Sequence, residues 1–252
     1  MLKPLFEVCV DSFASAKAAK QGGGDRLELC ANLVIGGTTP SEYLFSQIQR
    51  DLGIPANVLI RPRFGDFLYT QEEFEEMEAQ IARFRELGAN GVVIGALTME
   101  GKLDAEHLKP LLRAAGNMEV TLHRAFDMAA DRAEALEQAV DLGFTTILTS
   151  GGLSGAVRGA QVLAKLKRQA AGRIRLMAGA GVNSGNIPEL YAATGITAYH
   201  GSCRTADVES GMRYRNPNVS MGLPGLSEYT LFRTDPEEVR KCAETVHSLC
   251  VR

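Results

Sequence analysis

The sequence has no basic surplus, no paired cysteines and no long apolar run, and each absence removes a class of function. Its 252 residues carry 27 Lys and Arg against 30 Asp and Glu, a formal net charge of −3. Nucleic-acid binders show a basic excess or stripe because phosphate contacts dominate their affinity, so no nucleic-acid partner is expected. The longest apolar stretches, such as residues 91–97, fall far short of the roughly 20 residues that cross a bilayer, so no membrane partner is expected. The five cysteines are scattered and lack a CxxC pair, which argues against a disulfide framework and for the cytoplasm. Residues 1–6 run straight into Glu7 without the longer apolar core and cleavage site of a secretory signal. No linker or low-complexity tract divides the chain, and no G-x-G-x-x-G follows the first strand-like run. A doubly wound dinucleotide-binding sheet is therefore the weaker alternative for the fold.

What is present is a strand–helix alternation. Short apolar or β-branched runs predict strands at 5–10, 26–30, 57–61, 91–95, 119–123, 145–150, 173–178 and 197–201, with starts 21 to 34 residues apart. Each interval holds one helix and two short loops, the spacing of a βα unit, and eight such units predict a (β/α)8 TIM barrel forming one domain over 1–252. Thr39-Pro40-Ser41-Glu42 and Thr70-Gln71-Glu72-Glu73 read as capping boxes, and Pro40 and Pro236 as first helical residues. Phe74, Met77, Ile81 and Phe84 recur at helical spacing, which predicts one buried face on a helix over 71–87. Residues 204–229, which contain Pro217, Pro224 and several Gly, read as a long irregular segment before a final helix over 235–249.

Parallel barrel strands are normally apolar on both faces. Here Glu7 and Cys9 share one face of the first strand, and Glu28 and Cys30 share one face of the second. The opposite faces are apolar and must meet the helices, so both Glu-x-Cys pairs point into the barrel. Buried carboxylates need partners, and Arg61, Arg63 and Arg175 are the expected ones. Active sites of this fold lie at the C-terminal strand ends. Those ends carry Arg61 and Arg63, then His123, Arg124 and Asp127, then Ser150 and Gly151, Gly179 and Gly181, and finally His200 and Ser202. The Gly-rich turns suit an anion or serve only tight backbone geometry. His123 is a candidate general base or metal ligand with Asp127 as its orienter, or an interior histidine beside an ion pair. Neighbouring inward thiols at Cys9 and Cys30 could hold a soft Cu(I) ion, form a disulfide or pack as small hydrophobes. Cys242 and Cys250, eight residues apart on the last helix, read as packing residues.

At these motifs the sequence resembles the CutC copper homeostasis family. The resemblance rests on Glu7-Val8-Cys9-Val10-Asp11-Ser12, Gly24-Asp25-Arg26-Leu27-Glu28-Leu29-Cys30, Ile60-Arg61-Pro62-Arg63-Phe64-Gly65-Asp66-Phe67, His123-Arg124-Ala125-Phe126-Asp127-Met128 and Met177-Ala178-Gly179-Ala180-Gly181-Val182, in order along the chain. Ile35-Gly36-Gly37 departs from the family's Glu-Gly-Gly turn, and Arg63-Phe64-Gly65 from its Arg-Gly-Gly. The resemblance implies a cytoplasmic TIM barrel linked to copper, with Cys9 and Cys30 at the positions of the family's proposed copper cysteines.

Two functions follow as expectations. The first is copper binding, as Cu(I), at Cys9 and Cys30. The second is an enzyme acting on a small anionic or phosphorylated metabolite. It would bind through Arg61, Arg63, Arg124 and the Ser150, Gly151, Gly179, Gly181, His200 and Ser202 strand ends, with Glu7, Glu28, His123 and Asp127 as acid–base groups. No organic cofactor is expected, and exposed barrel helices leave room for a homo-oligomer.

Overall fold

The alternation of inward polar and outward apolar residues closes into a ring. The computed structural model describes residues 3–204, 207–219, 221–223 and 225–249; Pro224 and Cys250 lie outside them. The elements run β1 (Leu5–Val10), α1 (Phe13–Gln21), β2 (Arg26–Leu29), α2 (Glu42–Asp51), β3 (Ala56–Leu59), α3 (Gln71–Glu86), β4 (Gly91–Ile94) and α4 (Ala105–Ala115). They continue with β5 (Glu119–Leu122), the short α5 (Ala125–Met128), α6 (Arg132–Leu142), β6 (Thr146–Thr149), α7 (Ala160–Ala170), β7 (Arg175–Ala178), α8 (Ile187–Thr194) and β8 (Ala198–Gly201). Strands β1 to β8 form a closed parallel barrel in sequence order. The fold is the single-domain (β/α)8 TIM barrel.

Two more strands, β9 (Asp207–Glu209) and β10 (Thr230–Phe232), pair antiparallel outside the barrel before α9 (Pro236–Ser248). β9 lies inside the 204–229 segment that reads as irregular in sequence, and β10 directly follows it. No helix among the described residues is long and apolar enough to cross a membrane.

The main core lies between strands and helices. Phe6, Val8, Val10, Leu27, Leu29 and Val58 face outward from β1–β3 and are buried in it. The inward residues form only two small apolar groups, Cys30–Leu59–Val93 and Leu148–Met177–Ala198. Between them runs a polar column, and register sets its rows: Glu7 lies opposite Arg26 and His200, and Cys9 opposite Glu28.

Helix starts follow local chemistry. Thr70 and Glu73 form the reciprocal capping box of α3, whose Phe74, Met77, Ile81 and Phe84 are buried, and Pro236 opens α9 behind the Asp235 cap. The box expected at Thr39 does not form. Ser41 caps α2 instead, because the Thr39 hydroxyl is held by the Arg61 amide at 3.0 Å and by Gln80 at 2.9 Å. Pro40 therefore precedes the cap rather than opening the helix. Phe84 meets Phe45 edge-on with centroids 5.6 Å apart. Phe84→Ala is expected to remove about 3–5 kcal/mol of unfolding free energy in urea titrations, against about 1 kcal/mol for Thr70→Ala.

Candidate functional site

Glu7 is fully buried, and its two oxygens find different partners. Arg26 Nε donates to Oε2 at 2.7 Å, and His200 Nδ1 lies 2.8 Å from Oε1. Burial alone would raise the Glu7 pKa, but Arg26 and His200 outweigh it and bring it down to about 2. Ionised Glu7 makes His200 Nδ1 the donor and turns Nε2 toward Glu28, 3.6 Å away. Burial opposes a charged ring at His200, yet Cys9, Glu28 and Glu7 together hold its pKa well above the usual value. Glu28 moves opposite to Glu7: burial, with repulsion from Glu7, raises it against the pull of His200. Two carboxyl groups on adjacent strands thus have opposite protonation tendencies, the arrangement that separates a fixed anion from a proton carrier.

The partners of these carboxylates differ from the expected ones. Arg61 spends Nη1 on the Gly37 carbonyl at 3.0 Å and Nη2 on the Gly65 carbonyl at 2.7 Å. Arg63 reaches outward to Glu73 at 2.5 Å and to the Leu68 carbonyl at 2.7 Å. Arg175 makes no hydrogen bond to either carboxylate. Arg26 does this work, and its place on the same face of β2 as Glu28 was the signal available in the sequence.

The donor atoms of Cys9, Glu28 and His200 lie within 4.8 Å of one another, the one such group of three or more His, Cys, Asp or Glu among the described residues. Cys30 is not part of it. Its Sγ donates to Glu28 at 3.5 Å, and burial, reinforced by Glu28 and Cys9, pushes its thiol pKa well up. Both cysteines are free and buried. The three donors face a cavity of about 310 Å³ that Arg61, Phe67 and His123 also line. Ser202 lies elsewhere, on an adjoining cavity of about 180 Å³ that also touches Cys9.

His123 sits across the larger cavity. Burial, helped by Arg61, lowers its pKa to about 3. Its Nδ1 accepts from the Ala125 amide at 3.1 Å, so Nε2 carries the ring proton. That Nε2 is buried without a partner, and so is Arg61 Nε. Gly95 makes room for the ring, since a Cβ there would lie 2.6 Å from His123 Cε1.

Asp127 does not orient His123. It fills the turn after β6, accepting from the Ser150 amide at 3.0 Å, the Gly152 amide at 2.9 Å, Ser150 Oγ at 2.9 Å, Thr149 Oγ1 at 2.5 Å and Arg124 Nε at 2.8 Å. Burial resists its charge, but these donors outweigh it and lower its pKa. The Gly151 amide goes to Thr149 Oγ1 at 2.9 Å, so an internal carboxylate occupies the turn that reads as an anion cradle. In the next turn, the Gly179 amide bonds the Thr149 carbonyl at 3.1 Å. Gly181 has φ +73, a conformation glycine adopts without strain.

The family model of the CutC family matches residues 4–205. A CutC family protein of Chromobacterium violaceum is 44% identical over 242 residues, covering 96% of this chain and 98% of that protein. The human copper homeostasis protein cutC homolog is 45% identical over 237 residues, covering 94% and 86%. A crystal structure of CutC from Streptococcus agalactiae superposes with a TM-score of 0.76 at 33% identity, covering 79% of this chain and 98% of that one.

The neutral state of His123 has a measurable consequence. An unfolded imidazole protonates near pH 6.5 and the folded one near 3, so between these values the unfolded state binds more protons and stability falls as pH drops. His123→Gln is expected to flatten that slope in denaturation experiments, and nitrogen NMR of the wild type should show the Nε2–H tautomer unchanged between about pH 8 and about pH 5.

Proposed function

Because this chain belongs to the CutC family, we propose that it is a cytoplasmic copper homeostasis protein that holds Cu(I) inside its barrel, between Cys9 Sγ and His200 Nε2, with Glu28 as the third donor. The observation that carries this reading is the orientation of His200. Ligating histidines commonly give their second ring nitrogen to a carboxylate, which fixes the tautomer and raises ligand basicity. Glu7 receives His200 Nδ1 at 2.8 Å in this way, and Arg26 anchors Glu7 in turn. Copper would take the place of the Nε2 proton, between a thiol and a carboxyl. A thiolate and an imidazole suit Cu(I), a soft ion, and a reducing compartment keeps the thiol from oxidising. The name of the human relative, a copper homeostasis protein homolog, agrees with copper as the cargo. Cys30 takes part through Glu28, whose carboxyl its thiol contacts.

A second reading is favoured by the other wall of the cavity. His123 Nε2 and Arg61 Nε are buried donors without acceptors on the same cavity as Glu28. A small anionic or phosphorylated metabolite would satisfy both, with Glu28 and His200 positioned for proton transfer.

The test is an anaerobic Cu(I) competition titration against a calibrated chelator. One equivalent is expected on the wild type and on Cys30→Ser and Arg61→Ala, and none on Cys9→Ser. Binding indifferent to Cys9 would overturn the copper reading. In that case a thermal-shift screen of small carboxylates and phosphorylated metabolites should show stabilisation that Arg61→Ala lowers and Arg175→Gln leaves in place, about 2.7 kcal/mol at a hundredfold excess over Kd.

A further inference from the structure

A second polar opening lies at the far end of the barrel, under the N-terminal ends of the strands. There a cavity of about 290 Å³ is lined by Lys3, Asp25, Arg26, Asn90, Glu119 and Arg175, among others. TIM barrels place their chemistry at the other face and use this one for stability, so a cluster of cations here asks for a cause.

Its two carboxylates are already engaged. Asp25 accepts from the Phe6 amide at 2.8 Å and pairs with His247 Nε2 at 2.9 Å. Glu119 pairs with Arg26 Nη1. Arg26 therefore gives Nε to Glu7 and Nη1 to Glu119, and its remaining nitrogen, Nη2, is buried without an acceptor in a residue only 4% exposed. Arg175 projects into the same space from β7, and its Nε is also buried and unpartnered. Burial and the adjacent Arg26 charge both press against the Arg175 cation, with Glu119 and Glu7 opposing them. Asn90 is turned away, donating to Asn57 Oδ1 at 2.7 Å. Lys3 lies exposed at the rim.

A water molecule could accept from these donors but would leave two guanidinium groups facing each other. A multiply charged oxyanion does both jobs, because guanidinium forks match its oxygens and its charge offsets theirs. We infer that the N-terminal mouth of the barrel binds a small phosphate-type oxyanion, free or as a monoester, through Arg26 Nη2 and Arg175 with Lys3 at the rim. The site is separate from the Cys9 cavity, and it stands or falls independently of the copper reading.

Isothermal titration in chloride-free, low-salt buffer tests it with inorganic phosphate and with glycerol 3-phosphate as probes. One equivalent should bind the wild type at this mouth. Arg175→Gln should remove that equivalent or weaken it by about tenfold or more, and Lys3→Ala should weaken it by about two- to fivefold. Binding of phosphate alone would assign the site to free anions, and binding of the ester alone to an esterified group; either supports the site. Absence of any bound equivalent, or an unchanged equivalent in Arg175→Gln, overturns it. Should Arg175→Gln fail to fold, wild-type affinity in the surface variant Lys3→Ala overturns it equally.

Discussion

A carboxylate shut away from water sets the terms for the interior of this barrel. Burying an ionised carboxylate without partners is prohibitively unfavourable, and removing one member of a buried pair is far worse than never having had it. Glu7 is ionised because Arg26 and His200 flank it from the two strands beside β1, and those strands deliver them by register alone. Fixing Glu7 fixes the His200 ring, and the ring in turn faces Cys9 and Glu28. The same Arg26 reaches Glu119 at the opposite end. One buried charge therefore organises both mouths of the barrel, which are the places where ligands are proposed.

The three acidic groups of the interior and its upper rim illustrate how environment assigns roles to identical chemistry. Glu7 is held ionised by two cationic partners, Glu28 is pushed toward the neutral acid by burial, and Asp127 is held ionised mainly by hydrogen bonds from a hydroxyl, an arginine and backbone amides. Only Glu28 combines access to a cavity with a pKa displaced toward neutrality. Asp127 reaches from α5 into the turn after β6 and accepts hydrogen bonds from its backbone amides and hydroxyls.

The barrel was legible because its signals are local and repeated: eight alternating runs at βα spacing, a capping box at Thr70 and a buried stripe on α3. The β9–β10 ribbon was not, since three-residue strands separated by some twenty residues carry no periodic pattern. At the site, alternation was enough to turn Glu7, Cys9, Glu28 and Cys30 inward. The same alternation turns Arg26, two residues before Glu28, toward Glu7. Asp127 shows a different limit. A glycine-rich turn looks the same in sequence whether it awaits a ligand's oxygens or a carboxylate from the neighbouring βα unit fills it. Thr39 is a third case, where a long-range bond to the β3–α3 connection overrides a local capping preference.

The polar column also constrains how this interior can change over generations. Glu119, Arg26, Glu7, His200 and Glu28 touch in succession from one end of the barrel toward the other, so a replacement at an inner member takes a partner from each of its two neighbours. Energies within such a chain do not add. A single exchange that is harmful alone can become neutral when the contacting member is exchanged as well, and the route between two workable columns runs through intermediates less fit than either. Descendants of this barrel would then inherit its central charges as a block, free to vary on the helices while the interior passes unaltered or shifts several residues at once.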